Sequence, residues 1–298
     1  MREREQGCLI LWRRCWTAGF IAPSCWMAQS ADAEQSLILA LWCYEAEKQP
    51  ASDGAWIHPY YFASQKAYTA ASSLVKSGAF PGLALRDEIR VKPIFARLPD
   101  FSQGTNTISY IRGIGSRFHV QILTYTPRLP ATEHLLSENK PLHCGECRKC
   151  VEACPTNALE GGVFHRERCI RNWMMVGGEV PEEIRAKMGN RLIGCDVCQR
   201  VCPHNPLPQG EAHLAVPLAD LLRQPKETAL SLRPLIGVNL TLPNRVLSQS
   251  CLLAGCSGDT SLIPLLMPLL HHPSPAVSTH AAWALSRLQE GISFLSEL

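Results

Sequence analysis

The first half of the chain carries its apolar residues in short runs that favour strands. Residues 36–44 form a continuous apolar run without a helical period, which predicts a buried strand of an α/β sheet. Three further stretches have the alternation or the β-branched and aromatic content of strands. These predicted strands cover residues 89–92, 106–110 and 118–125.

One helix interrupts this series. Apolar residues recur at helical spacing over residues 61–76, and Ser77-Gly78 follows as a stop signal. The preceding residues 50–59, which begin and end with proline, are predicted to be a loop. Together these elements predict an α/β domain over residues 1–135.

The last part of the chain, residues 211–298, changes to a helical period. Three short helices are predicted, over residues 245–254, 261–270 and 277–288. The leucines expected to face inward are Leu262, Leu266, Leu285 and Leu288. Paired helices of this length are typical of HEAT-type repeats, which stack into a solenoid. His271 and His272 fall in a predicted loop, where exposure to solvent is expected rather than metal binding.

Between these parts, residues 136–210 contain a dense set of cysteines. Cys144 opens a C-x₂-C-x₂-C-x₃-C-P motif, and Cys195 opens a C-x₂-C-x₃-C-P motif. The first spacing is typical of cubane iron–sulfur clusters, in which the fourth cysteine of the motif ligates a neighbouring cluster. Residues 191–194 lack the cysteine that a standard second motif has there, so Cys169 is predicted to replace it.

The crossed ligation of such motifs divides eight cysteines between two [4Fe-4S] clusters. The first cluster is predicted to take Cys144, Cys147, Cys150 and Cys202. The second cluster is predicted to take Cys154, Cys169, Cys195 and Cys198. Two helices are predicted between ligands of the second cluster, over residues 170–176 and 181–188.

Zinc and disulfide interpretations explain the pattern less well. Two C-x₂-C pairs can form a zinc site, but zinc takes four ligands and leaves the longer motif unexplained. Cysteines three positions apart would close strained disulfide rings. The remaining cysteines have no ligand spacing and are expected to be small hydrophobic residues. These are Cys8, Cys15, Cys25, Cys43, Cys251 and Cys256.

Composition indicates a globular protein of two or three domains, since the 298 residues are 46% hydrophobic and 18% charged. A net charge of +3 neither requires nor excludes a polyanionic partner. Arg13-Arg14 faintly resembles a twin-arginine export signal, but Pro23 interrupts the apolar stretch that follows. A cytoplasmic location without a membrane span is therefore expected.

Residues 86–128 hold more basic than acidic side chains. The excess fits a surface for the phosphate of a cofactor or a nucleic acid, and it also fits a solvated face. The basic residues are Arg86, Arg90, Lys92, Arg97, Arg112, Arg117 and Arg128. Gly113-Ile114-Gly115 lacks the third glycine of a dinucleotide-binding fingerprint.

The order of these features resembles the epoxyqueuosine reductase family, the cobalamin-dependent iron–sulfur enzymes of the last step of queuosine synthesis in tRNA. The resemblance is specific over residues 143–206, and in the tail it rests on residues 255–259 and 280–285. It implies a corrinoid-reductase-like α/β domain, a ferredoxin-like double [4Fe-4S] domain and α-helical HEAT-like repeats. The corresponding boundaries are residues 1–135, 136–210 and 211–298.

The resemblance implies an activity, which is the reduction of epoxyqueuosine to queuosine in tRNA with cobalamin and two [4Fe-4S] clusters. The implied partners are a tRNA anticodon stem-loop and an electron donor such as flavodoxin or ferredoxin. No membrane is involved, and the chain is expected to be a monomer. Asn106, Gly115 and Ser116 match stretches of the family's corrinoid-binding part, so they are the candidate cofactor-binding residues.

One feature of the family pattern is absent. The family's general acid is an aspartate in a Val-Asp-x-x-Pro-Val-x-Glu-Arg pattern, which falls on Arg90 when the pattern is laid on residues 89–97. No catalytic residue is therefore assigned, although Asp87 and Asp100 are near in the sequence. Two functions stay open, namely a tRNA-modifying reductase with a rearranged acid and an electron-transfer or corrinoid-related protein that has lost that activity.

Overall fold

The computed structural model describes residues 35–48, 54–96, 98, 101–111, 114–126, 144–207, 210 and 215–296, with side chains up to residue 290. The chain divides into two compact units. Unit 1 comprises residues 1–46, 62–148 and 202–207, and unit 2 comprises residues 47–61, 149–201 and 208–298. The three-domain boundaries expected from the sequence stay a prediction.

The described residues form short strands and helices. The strands are β1 (Ser36–Cys43), β2 (Ala55–Ile57), β3 (Leu83–Leu85), β4 (Phe101–Gln103), β5 (Ser109–Ile111), β6 (Phe118–Tyr125), β7 (Arg191–Ile193) and β8 (Ala215–Val216). The α-helices are α1 (Pro59–Lys76), α2 (Val91–Phe95), α3 (Lys149–Glu152), α4 (Ile170–Val176), α5 (Glu182–Arg185), α6 (Val197–Arg200), α7 (Leu218–Arg223), α8 (Pro225–Ile236), α9 (Pro243–Ser257), α10 (Ile263–Leu266) and α11 (Pro275–Ser296). Short 3₁₀ segments occur at Glu160–Gly162, Arg166–Arg168, Val238–Leu240, Thr260–Leu262 and Met267–His271.

An antiparallel sheet of order β1-β6-β3 forms the centre of unit 1. Strands β1 and β6 pair along their whole length, from Ser36 opposite Tyr125 to Cys43 opposite Phe118. The apolar run of β1 is continuous because both faces of the sheet are covered. Ile38 packs on one side with Ala67 of α1, and Leu39 packs on the other with Phe95 and Phe101. The predicted buried strand is confirmed.

Strands β4 and β5 form a hairpin beside this sheet. Its tip closes with a hydrogen bond from the Gly104 N–H to the carbonyl of Ile108 at 2.9 Å. The Asn106 Oδ1 accepts a hydrogen bond from the Ile108 N–H at 3.2 Å, which satisfies the backbone inside the turn. Thr107 has a left-handed φ of +61°, which a threonine adopts only when its surroundings fix it.

A second small sheet, of order β7-β2-β8, lies in unit 2. Trp56 pairs with Arg191 in a parallel ladder and with Ala215 in an antiparallel one. Trp56 and Ile57 are fully buried. The loop predicted over residues 50–59 is wrong for Ala55–Ile57, which form β2. Its three residues are too few to show a strand period, and the pairing depends on residues far away in the chain.

The helical tail of unit 2 is confirmed. Helices α9 and α11 carry its core, and all four predicted leucines are buried in it together with Cys251. Leu252 of α9 also packs against Ile170 and Met174 of α4, so the tail docks on the segment between Cys169 and Cys195. Within the described part of the chain, no helix has the length and apolar character needed to cross a membrane.

Three further expectations about the elements are corrected. Residues 89–92 are not a strand, because Val91 begins α2 and Pro93 lies in its first turn, where a missing N–H costs nothing. The predicted helix over residues 261–270 is divided into a 3₁₀ turn, the helix α10 and a second 3₁₀ segment, and the last two each have a proline near the start. The tail also contains α7, α8 and the short strand β8, none of which was predicted.

Candidate metal centre

Four cysteines of unit 2 come from four separate elements. Cys154 follows α3, Cys169 caps the N-terminus of α4, Cys195 follows β7 and Cys198 lies in α6. Burial raises the pKa of the Cys198 thiol, and four neighbouring thiols raise it further. These neighbours are Cys195, Cys169, Cys150 and Cys154. Only a bound cation makes thiolates stable in such a place, because each charge is desolvated and repels the others.

The donor set suits a cluster better than a single ion. Within the described ranges, no three histidine, cysteine, aspartate or glutamate side chains lie close enough together to hold one metal ion. A cubane of iron and sulfide is larger than an ion, so thiolates that surround it stand further apart. The described cysteines are free thiols, and all eight of the predicted ligands are half-buried.

Gly194 brings Cys195 close to the start of α1. Its φ is +92°, and a Cβ at this position would lie 2.6 Å from the Cβ of His58 and 2.7 Å from the Cε2 of Tyr61. Its N–H points at the Met174 Sδ at 3.0 Å. A glycine is therefore required just before the cysteine, both for the backbone angle and for the space.

Tyr61 lies beside the same thiols. Its side chain is buried, and burial raises the pKa of Tyr61, which Arg171 lowers in part through a hydrogen bond to the phenol oxygen. The hydroxyl donates to the Met175 Sδ at 3.4 Å. Arg171 lies on α4, just after Cys169, so a guanidinium is near the thiolate charge. Tyr61 and Arg171 were missed by the sequence analysis, where Tyr61 counted only as an apolar helix position.

An ion pair between buried Asp196 and half-buried Arg200 stabilises α6 and the residue before it. Asp196 and Arg200 are joined at 2.6 Å, and Arg200 also donates to the carbonyl of Glu47 at 2.8 Å. Glu47 in turn accepts a hydrogen bond from the indole N–H of Trp56. Burial raises the pKa of Asp196, and Arg200 lowers it. The pair fixes the turn that carries Cys195 and Cys198 to the strand β2.

Unit 1 contains Cys144, Cys147 and Cys202. The Cys147 N–H donates to the carbonyl of Cys144 at 2.9 Å, which forms the first turn of the motif. The Thr105 N–H, at the tip of the β4–β5 hairpin, donates to the Cys144 Sγ at 3.4 Å. Tyr110 of β5 interacts with both Cys144 and Cys202. The hairpin therefore faces two of the three cysteines of this unit.

The predicted cofactor-binding residues have internal partners. Ser116 donates from both its backbone N–H and its hydroxyl to the Asn205 Oδ1, at 2.6 and 3.1 Å. Gly115 has a φ of +83°, and a Cβ there would lie 2.8 Å from the carbonyl oxygen of His204. Asn106 closes its own turn, as described above. Gly115 and Ser116 thus hold the segment that follows Cys202, and Asn205 is a partner that the sequence analysis did not single out.

Three of the four described basic residues of the 86–128 stretch bond to neighbours within the protein. Arg86 pairs with Glu88, Lys92 donates to the carbonyl of Thr107, and buried Arg117 donates to the carbonyl of Pro206. Arg90 is exposed at the N-terminus of α2. Asp87 accepts a hydrogen bond from Gln121 at 2.7 Å. The other residues named in this stretch lie outside the described residues, namely Arg97, Asp100, Arg112, Gly113 and Arg128.

The cysteines other than the eight predicted ligands have no ligand geometry among the described residues. Burial raises the pKa of Cys251 to about 12 and that of Cys43 to about 11, so both thiols are protonated at neutral pH. Cys256 is half-buried and donates to the carbonyl of Arg185. The expected hydrophobic role is confirmed for Cys251. Cys8, Cys15, Cys25 and the Arg13-Arg14 pair lie outside the described residues.

Comparison with sequence families agrees with the cysteine geometry. Residues 143–205 match the 4Fe-4S double cluster binding domain, and residues 259–288 match the armadillo/β-catenin-like repeat. The first match confirms two [4Fe-4S] clusters, and the second confirms a helical repeat in the tail.

Curated relatives match about half of the chain. The epoxyqueuosine reductase of Bacillus subtilis (strain 168) is 32% identical over 161 residues, which cover 49% of this chain and 40% of that protein. The epoxyqueuosine reductase of Pseudomonas aeruginosa is 33% identical over 199 residues, or 62% of this chain and 53% of that protein. An uncharacterized protein in the gldA 3'region of Geobacillus stearothermophilus is 32% identical over 49% of this chain and 72% of its own length. The chain thus spans about half the length of the named reductases.

Solved structures extend the likeness to the fold. The epoxyqueuosine reductase from Streptococcus thermophilus superposes with a TM-score of 0.65 at 21% identity, covering 88% of this chain and 75% of that chain. An epoxyqueuosine reductase with a tRNA-Tyr epoxyqueuosine-modified stem loop also gives 0.65, at 22% identity, covering 98% of this chain and 86% of that chain. At such identities the fold is what these structures share with this chain.

Proposed function

We propose that this chain, a relative of the epoxyqueuosine reductases with their double-cluster region and their fold, reduces epoxyqueuosine to queuosine in tRNA. The observation that carries the proposal is the set of eight cysteines, which matches a double-cluster family within the fold of those reductases. The proposed cofactors are two [4Fe-4S] clusters and cobalamin.

The ligands of the two clusters are proposed from spacing and from the thiol interactions. Cys154, Cys169, Cys195 and Cys198 are proposed to hold the second cluster on their spacing, and Cys198 interacts with the other three thiols as well as with Cys150 of the first set. Cys144, Cys147, Cys150 and Cys202 are proposed to hold the first, supported by the electrostatic interaction of Tyr110 with both Cys144 and Cys202. Thiolates are the ligands that such clusters require.

Cobalamin supplies a strongly nucleophilic or reducing metal when bound and reduced. The residues proposed to lie beside it are Asn106, Gly115 and Ser116 of unit 1. Because the Asn106 Oδ1 and the Ser116 hydroxyl bond within the unit, these two groups would shape the backbone around the corrinoid rather than hydrogen bond to it. With or without the corrinoid, Asn106 holds the hairpin tip, and Gly115 and Ser116 hold the segment after Cys202.

The proton that leaves with the epoxide oxygen needs a donor. Arg90 stands where the family's aspartate is expected, and a guanidinium keeps its proton at any working pH. It can still polarise an epoxide oxygen or bind a phosphate, so slow reduction is proposed rather than none. No described carboxylate is assigned as the acid, since the Asp87 Oδ1 accepts from Gln121 on the sheet.

The proposed substrate is a tRNA anticodon stem-loop, because a solved reductase of the same fold carries such a stem loop. Contacts to phosphates fix the register of a protein on RNA, and unstacked loop bases are then recognised individually. Flavodoxin or ferredoxin is the proposed electron donor, and a cytoplasmic monomer is the proposed state.

The arginine at position 90 favours a second candidate function. An electron-transfer or corrinoid-related double-cluster protein would need the cysteines and the scaffold but no acid. This alternative predicts full cluster occupancy without turnover of tRNA. It differs from the first proposal in its chemistry and not in its fold.

Anaerobic reconstitution with iron and sulfide, followed by addition of cobalamin, distinguishes the candidates. The reductase proposal predicts that a corrinoid with a base-off absorption spectrum coelutes with the protein in gel filtration. Full iron content without any bound corrinoid would favour the electron-transfer form of the alternative. A Ser116→Ala variant tests the proposed site, because it removes one of the two hydrogen bonds from Ser116 to Asn205, so cobalamin retention should fall.

A further inference from the structure

In unit 1, Tyr110 interacts with two separate segments that carry predicted ligands, namely the segment of Cys144 and the segment of Cys202. Tyr110 is 2% exposed, although β5 belongs to a two-stranded hairpin. Its ring stacks on the imidazole of His204 with the centroids 4.9 Å apart and the planes 5° apart. His204 follows Cys202 and Pro203, so this stack fixes the chain segment that carries Cys202.

The hydroxyl of Tyr110 contacts the segment that carries Cys144. It hydrogen bonds to the Cys144 sulfur, and the Ser102 hydroxyl of β4 bonds to the phenol oxygen. Ser102 and Tyr110 are opposite each other in the hairpin, so the strand register places the Ser102 hydroxyl beside the phenol oxygen that bonds to Cys144. The Thr105 N–H donates to the same Cys144 sulfur at 3.4 Å. One sulfur thus has two donors from one hairpin.

Hydrogen bonds to a ligating sulfur change the redox behaviour of an iron–sulfur cluster. A donor withdraws electron density from the thiolate and stabilises the reduced cluster, which carries one more negative charge. The potential of the cluster therefore rises when such a donor is present. In unit 2, Tyr61 and Arg171 lie beside Cys169 and Cys195 instead, so the two clusters would have different neighbouring side chains.

We propose that Tyr110 is a positioning residue that holds Cys144 and Cys202 in place and raises the reduction potential of the first cluster through its hydroxyl. This inference rests on the proposed ligand set of that cluster and is independent of the tRNA substrate. The Tyr110 hydroxyl would then make the first cluster easier to reduce by one electron than it would be without that hydroxyl.

The test is an anaerobic redox titration of the reconstituted full chain, followed by EPR, with iron measured per chain. Tyr110→Phe keeps the ring on His204 and removes only the hydroxyl. The equilibrium constant for reducing the first cluster should fall about tenfold, which for one electron is about 59 mV. The second cluster should keep its midpoint potential. The Cys169→Ala protein, which should retain only the first cluster, assigns the signals.

Tyr125→Phe is the matched control, because Tyr125 is a buried tyrosine of the same unit that packs on Phe80. It should leave both midpoint potentials unchanged. Ser102→Ala should lower the midpoint potential of the first cluster by a smaller amount. If Tyr110→Phe loses its iron, the Ser102→Ala potential tests the inference in its place. Full iron with unchanged potentials in both the Tyr110 and Ser102 variants would overturn the inference. Failure of the natural chain to bind any cluster would instead overturn the proposed function.

Discussion

His280 accepts a hydrogen bond at its Nε2 from the backbone N–H of Val180 at 2.9 Å. Because Nε2 accepts, the neutral ring carries its proton on Nδ1, which lies 2.8 Å from the Ser248 hydroxyl. The imidazole is fully buried. It therefore joins α9 and α11 of the tail to the segment between Cys169 and Cys195, and it does so only while it is neutral.

This arrangement makes stability depend on pH. Burial, with the nearby charge of Arg185, lowers the pKa of His280 to about 4, whereas the unfolded chain titrates near 6.5. The unfolded state thus binds more protons between these values, so the free energy of unfolding falls as pH decreases from about 6.5 to about 4, by up to about 3 kcal/mol. Urea unfolding at several pH values measures it. In His280→Gln the slope should be smaller, and an identical slope would exclude His280 as its source.

The tail core should respond strongly to truncation of a buried leucine. Leu285 packs among the apolar side chains of α9, α10 and α11 and is 5% exposed. Leu285→Ala should lower the free energy of unfolding by about 2–5 kcal/mol, because it removes apolar contacts and leaves a cavity. The exposed Leu230 is the control, and Leu230→Ala should change stability by less than about 0.5 kcal/mol. Equal melting temperatures for the two variants would place Leu285 outside the core.

Much of this fold follows from local pattern. The apolar run at residues 36–44, the strand at residues 118–125 and the helix at residues 170–176 all formed close to their predicted bounds, since each has a clear period or a long apolar run. The cysteine spacing likewise predicted two clusters, because the motif itself encodes the geometry.

The rest depends on contacts between distant residues. Strands β2 and β7 have three residues each, and Trp56 becomes a strand residue only by pairing with Arg191. Tyr110 had the signal of an ordinary strand residue, and its position over Cys144 arises from the hairpin register and the stack with His204. The alternation over residues 89–92 predicts a strand that ends before Pro93, although a proline equally suits the first turn of a helix.

Cys169 is the proposed ligand that differs most from standard spacing, so its replacement is informative. The natural chain should bind about eight irons after anaerobic reconstitution, since each cubane contains four. Cys169→Ala should bind about four and keep one EPR signal. Cys251→Ala, which changes a buried tail cysteine, should keep all of the iron. A Cys169→Ala protein with full iron and an unchanged EPR spectrum would contradict the ligand assignment.

Arg90 limits the expected rate of reduction. If this arginine occupies the place of the family's aspartate, Arg90→Asp should restore a proton donor and increase the rate on epoxyqueuosine tRNA. Arg90→Gln removes the charge without adding an acid, so it should not increase the rate. Single-turnover assays with reduced, cobalamin-loaded protein measure the difference. An equal or slower rate for Arg90→Asp would show that the acid lies elsewhere.

The central claim is that this chain reduces epoxyqueuosine in tRNA. The direct measurement is expression in a bacterium that lacks its own epoxyqueuosine reductase, followed by mass spectrometry of the nucleosides from digested tRNA. The account predicts that epoxyqueuosine is converted to queuosine slowly and incompletely by the natural chain, and not at all by a Cys195→Ala, Cys198→Ala double variant. Queuosine that stays absent, while the purified chain holds both clusters, would contradict it.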